Sequence, residues 1–152
     1  MRPVANLFDV ETARDDDDPE GYETPYARVG PLVGGARLGA SVYVLLEGQS
    51  VCPYHWEAGD EEWLLVLEGR PTARTPAGEE ELATGDIVCF PAGPDGAHKV
   101  SNHHSETARI VIFSTKNEPA VAVYPDSDKI GVWPPGKLFR AGDAVDYWKG
   151  EA

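Results

Sequence analysis

Basic residues, cysteine and long apolar runs are what this sequence has least of. Lys and Arg number 13 against 26 Asp and Glu, giving a net charge of -13 over 152 residues. A surface so charged repels phosphate backbones and anionic membrane faces, so neither nucleic acid nor a membrane is an expected partner. No apolar run approaches the roughly 20 residues of a membrane span, and the opening "MRPVANLFDVETARDDDD" lacks the apolar centre of a secretion signal. The two cysteines, Cys52 and Cys89, are too few for a disulfide framework and stand in no zinc or redox spacing. Both sit in apolar, strand-like surroundings and are expected to be buried packing thiols. The cytoplasm is the expected compartment. No repeat of solenoid or propeller period is present.

What is present is enough apolar residue, 41%, for one domain with a real core. The chain divides into an acidic arm, a core and a tail. The arm carries "ARDDDDPEGYETP", a charge run expected to be solvated and mobile. From Arg37 to Thr115 the chain reads as short runs, "ARLGASVYVLLEG", "EWLLVLEG", "GDIVCFPAG" and "ARIVIFST", each rich in branched or aromatic residues and most of them closed by Gly or Pro. Many short strands without a long helical period predict a β-sandwich or barrel. "TPAG" predicts a hairpin turn. In the tail, "GDAVDYWKGE" predicts a short helix capped by Asp143.

Strand alternation then assigns faces. Glu62, Leu64 and Val66 share one face of their run, and Trp63, Leu65 and Leu67 share the other. Ile110 and Ile112 oppose Val111 and Phe113 in the same way. Both faces of both runs are apolar, so the arm, the tail or a second subunit must cover the outer one. Trp56, Trp63, Tyr43 and Phe90 read as packing residues, and Tyr54 and Arg70 as rim contacts.

One short stretch, "PYHWEAGDEEW", crowds His55, Glu57, Asp60, Glu61 and Glu62 together. Asp60 and Glu61 read as a solvated turn. The remainder resembles the first motif of the cupin superfamily, G-x5-H-x-H-x3/4-E-x6-G, at Gly48, His55, Glu57, Glu62 and Gly69. "GDIVCFPAGPDGAHKVSN" resembles the second, G-x5-P-x-G-x2-H-x3-N, at Gly85, Pro91, Gly93, His98 and Asn102. Three departures stand out. Six residues separate Gly48 from His55, Glu57 replaces the second histidine, and two extra residues lie between Gly93 and His98. His98 keeps the spacing to Asn102, which favours it over His103 and His104.

The resemblance implies an all-β double-stranded β-helix, the cupin or jelly-roll barrel, over residues 26–118, with an arm at 1–25 and a tail with a short helix at 119–152 packing on it. It implies one divalent transition metal, manganese, iron or zinc, held by His55, Glu57, Glu62 and His98. Carboxylates facing a barrel interior need such a partner, because paired negative charges out of water repel. Two imidazoles with two carboxylates make a neutral shell whose oxygen donors disfavour copper. The expected function is a metal-dependent enzyme of dioxygenase, isomerase or lyase type on a small polar or anionic molecule. The alternative is a non-catalytic barrel that binds a small ligand or serves regulation. A homodimer is expected, with Tyr26–Leu38 as an exchanged or edge segment.

Overall fold

The computed structural model describes residues 3–151. The elements in chain order are β1 (Tyr26–Arg28), the single-turn α1 (Val29–Leu32), β2 (Leu38–Leu45), β3 (Trp56–Glu57), β4 (Glu62–Glu68), β5 (Thr72–Thr75) and β6 (Gly78–Glu81). They continue with β7 (Ile87–Phe90), β8 (Lys99–Ser101), β9 (Ala108–Thr115), β10 (Ala120–Tyr124), β11 (Lys129–Trp133) and β12 (Lys137–Arg140). One sheet runs β1-β2-β9-β4-β7, a second β12-β11-β10-β3 and a third β6-β5-β8, and every strand pairing is antiparallel. No described helix is long and apolar enough to cross a membrane. The hairpin expected at "TPAG" is there, with Thr75 opposite Gly78.

The core follows strand alternation. Leu45, Leu64, Val66, Ile110 and Ile112 point inward and pack with Ala73, Leu82, Phe90 and Val100. The outer face of the first sheet has its own cluster. Val42 and Val111 meet Val29 there, and Ala5, Leu7 and Val10 of the arm lie against it with Leu65, Leu67 and Phe113. The arm is therefore a packed cover and not a free chain. Arg109 donates to the Leu7 carbonyl at 2.9 Å, and Ala13 exchanges two backbone hydrogen bonds with Tyr26. The acidic run stays at the surface, but the backbone beside it is tied to the barrel edge, where apolar contacts outweigh its charge.

The tail does something else. β10 pairs with β3 and extends the second sheet, and Arg74 of β5 grips Asp126 through both guanidinium nitrogens. The helix expected to start at Asp143 is absent. A single 3-10 turn, Ala141–Asp143, ends there instead, and residues 144–146 take no helical form. Tyr147 and Trp148 are exposed, so no buried face supports a helix of that length.

Two further expectations are corrected. Asp60 is buried, 6% exposed, and is a hub. It accepts from the Thr115 hydroxyl at 2.8 Å and from both the backbone and side-chain nitrogens of Asn117 at 2.9 Å. The cysteines are not core residues either: Cys52 is half-buried and Cys89 exposed on the outer face of β7. The residue closing the second motif, Asn102, is fully buried. Its amide donates to the carbonyls of Leu45 and Glu106 at 2.9 and 2.8 Å, and its oxygen accepts from the His104 amide at 3.0 Å. Asn102→Ala orphans all three partners, and chemical denaturation should show a loss of about 2–4 kcal/mol. A loss below the scatter of surface substitutions would mean that water replaces the amide fully.

Candidate metal centre

His55 and His98 come from the two motifs and meet because their backbones pair across the barrel, each amide bonding to the other's carbonyl. Glu62 opens β4 with its side chain inward. Donor atoms of His55, Glu62 and His98 lie within 4.8 Å of one another. Glu62 Oε2 is 3.7 Å from His55 Nε2 and 3.3 Å from His98 Nε2. Glu57 stands beside this trio, its Oε1 3.6 Å from His55 Nε2. His103 is exposed, and His104 bonds to Glu81 at the surface at 2.6 Å, so neither joins the cluster.

Both imidazoles are oriented from behind. His55 Nδ1 lies 3.1 Å from the Pro53 carbonyl and His98 Nδ1 2.9 Å from the Gly96 carbonyl. A carbonyl only accepts, so each Nδ1 carries a proton, and each Nε2 faces Glu62 as the atom a cation would take in place of a proton. The two extra residues of the second motif take part in this. They fall in the 3-10 turn Pro94–Gly96, whose last carbonyl anchors His98. Phe90 stacks flat on the His98 ring at 3.7 Å, so its packing role is to hold a site histidine. This donor set of two imidazole nitrogens and a carboxylate oxygen is compatible with one metal ion.

The electrostatics follow from burial. Burial is the main force raising the Glu57 carboxyl to about 7, with Glu62 and Asp60 adding to it and His55 opposing. Burial would raise Glu62 as well, yet hydrogen bonding and charge from His55 and His98 pull it down to about 2. At His55 burial favours the neutral ring, but Cys52, whose Sγ is 3.5 Å from Nδ1, and then Glu62 outweigh it, so the proton is held above the ordinary histidine range.

These directions set a pH dependence for the metal-free protein. Glu57 binds its proton more tightly folded than unfolded, so its contribution to stability is present at acid pH and is lost as pH rises from about 4.5 through about 7. A cation reverses that preference, because it favours the carboxylate. Adding Mn2+ to metal-free protein at pH 6 in weak buffer should therefore acidify the solution, and Glu57→Gln should release fewer protons. Equal release from both proteins would place Glu57 outside the reach of the ion.

Tyr124 is a site residue that the motifs do not reveal. Its ring stacks on His55 at 5.7 Å and 23°, and it arrives on β10 through the pairing of β10 with β3. Burial, with Cys52 and the two glutamates, lifts its phenol to about 12, so it stays a donor. Tyr54 and Arg70 have partners of their own outside the cluster. The Arg74 guanidinium lies 4.0 Å over the Tyr54 ring, and Arg70 pairs with Glu81 at 3.5 Å.

Comparison with known proteins agrees with this architecture. Residues 41–114 match the family model of the cupin domain, and the chain belongs to the cupin superfamily. A structure from Acidithiobacillus ferrooxidans, proposed to be a sugar phosphate isomerase, matches with a TM-score of 0.76 and 26% identity over 83% of this chain and 81% of that one. A cupin-superfamily sugar phosphate isomerase from Silicibacter pomeroyi matches with a TM-score of 0.82 and 22% identity, over 95% of this chain and 98% of that one. A polyketide cyclase from Streptomyces resistomycificus matches with a TM-score of 0.64 and 22% identity over 79% and 84%. Below one-quarter identity such likeness speaks for the fold alone. No curated protein matches the chain in sequence.

Proposed function

We propose that this cupin is a metal-dependent enzyme of isomerase type acting on a small oxygen-rich molecule, with His55, Glu62 and His98 holding manganese, iron or zinc and Glu57 as a fourth ligand or as the acid–base group. The observation that carries this is the convergence of two Nε2 atoms, each with Nδ1 fixed by a backbone carbonyl, on one inward carboxylate. A bound divalent ion would polarise a substrate carbonyl or hydroxyl. Glu57 would then move a proton at the adjacent carbon, and the Tyr124 phenol would donate a hydrogen bond to the substrate. The likeness to the Acidithiobacillus protein favours isomerase over dioxygenase or lyase chemistry. Elemental analysis of purified protein tests the metal. Incubation with aldoses and ketoses in D2O, followed by NMR, tests the chemistry, because proton abstraction next to a carbonyl exchanges deuterium into carbon. Oxygen consumption without exchange would point to a dioxygenase, and saturable binding without either to a non-catalytic barrel.

The protein is proposed to work in the cytoplasm, where an exposed free thiol such as Cys89 stays reduced. It is also proposed to pair as a two-fold dimer. The arm covers only part of the outer face, and Trp63 and Ile87 remain 42% and 59% exposed on β4 and the edge strand β7. Light scattering should give twice 16.5 kDa, and Trp63→Glu should return the monomer. A wild-type monomer at tens of micromolar would remove the dimer.

A further inference from the structure

A cavity of about 380 Å3 opens between the arm, β1, β2 and the loop before His55. It reaches His55 from behind, because Cys52 lines it while placing Sγ 3.5 Å from Nδ1, the nitrogen turned away from the converging donors. Its volume is that of a small-ligand pocket. We propose that this cavity binds a small, neutral, hydroxyl-rich ring, a free sugar or cyclitol rather than its phosphate. The proposal goes beyond the enzyme reading above, since the cavity is lined by none of the converging donors.

Three features of the lining carry it. The first is aromatic. Tyr26 and Tyr43 stack on one another at 5.9 Å and 26°, each using one face, and Tyr22, with the Lys99 ammonium 5.1 Å from its ring centroid on one side, stands with them on the cavity wall. The electron-rich faces of such rings attract the C–H face of a sugar ring. The second is the polar inventory. Hydroxyls predominate, from these phenols and Ser41, and a hydroxyl both donates and accepts, as a polyol does. An ammonium ligand only donates and would leave those donors and Arg28 unmatched. The third is charge. Asp15 and Asp18 face a single guanidinium, Arg28, in a protein of net charge -13. Asp15 is held in place by the Tyr26 hydroxyl, which donates to it at 3.1 Å. The Asp18 carboxylate has no hydrogen-bond or ion-pair partner among the described residues, and a carboxylate accepts from hydroxyls but repels phosphate.

Calorimetric titration of the full-length protein, metal-loaded and metal-stripped, with D-glucose, D-ribose and myo-inositol, with their monophosphates and with ethanolamine is the test. At least one free ring should bind saturably, and its monophosphate should bind about tenfold more weakly at low ionic strength. Asp18→Asn should narrow that gap. Ser41→Phe fills the cavity and should abolish binding. Tyr22→Ala, on the arm and outside the barrel core, should weaken it about threefold to tenfold while the melting curve stays unchanged. A monophosphate or ethanolamine that outcompetes every free ring overturns the proposal, as does binding indifferent to both Ser41→Phe and Tyr22→Ala, or no saturable binding below about 10 mM. Elemental analysis of the same samples reports on the metal separately. A protein that binds a sugar but no metal would sink the enzyme reading and leave the cavity standing.

Discussion

His98→Ala is expected to yield protein without bound metal that melts well below wild type. His98 is 2% exposed, supplies one of the converging donors and is packed flat against Phe90. Its loss removes a ligand and leaves a void beside a carboxylate that had two imidazole partners. An ion that binds only the folded state stabilises it by about 2.7 kcal/mol at a free concentration 100 times Kd. For a chain of this size that corresponds to about 5–10 °C in the melting temperature. His55→Ala should behave alike. His104→Ala, which breaks only a surface bond to Glu81, should keep its metal. Plasma emission analysis of proteins grown with manganese, iron or zinc, together with melting curves with and without chelator, gives the answer. Wild type that carries no metal under every supplement, and does not respond to chelator, would remove the centre.

Gly96→Ala is expected to damage both the fold and the metal centre, although position 96 touches no ligand atom directly. A Cβ there would overlap the Pro91 carbonyl oxygen, which is backbone and has nowhere to move. Overpacking of this kind costs about 3 kcal/mol or more. The residue's own carbonyl holds His98 Nδ1, so relief of the clash must shift the anchor of a ligand. Gly93→Ala is the control. Gly93 has φ of 95° and ψ of -179°, a region that glycine alone adopts readily, and open space around it, so alanine there meets backbone strain of about 1–3 kcal/mol and no clash. Denaturation and metal titration together should show both glycines destabilised and only Gly96→Ala failing to hold metal. Equal metal affinity in the two variants would show that the carbonyl anchor is dispensable.

The barrel and its candidate ligand trio were legible because both are written in local patterns. Short branched and aromatic runs closed by glycine mark strands such as Glu62–Glu68, and the glycines and proline of the two motifs set loop lengths that bring His55 opposite His98. The spacing to Asn102 singled out His98 from its neighbours, and the structure groups that histidine with His55 and Glu62. Period-two alternation and turn chemistry depend on adjacent residues, so sequence alone carries them.

What depends on contacts between distant segments was decided only in three dimensions. Asp60 reads as one more surface acid, and its burial comes from Thr115 and Asn117, more than fifty residues away. The arm reads as a solvated acidic run, yet Ala5, Leu7 and Val10 find the outer face of the first sheet, where burial outweighs the charge that follows them. The helix expected after Asp143 fails for the opposite reason, because no partner buries its apolar side. Tyr124 belongs to no motif and reaches His55 because β10 pairs with β3. The sequence by itself determined the barrel and pointed to the inward His55, Glu62 and His98 as its candidate ligands. Tertiary packing decided what covers the barrel, what orients those ligands and what lines the way to them, since each is a match between surfaces that no local pattern encodes.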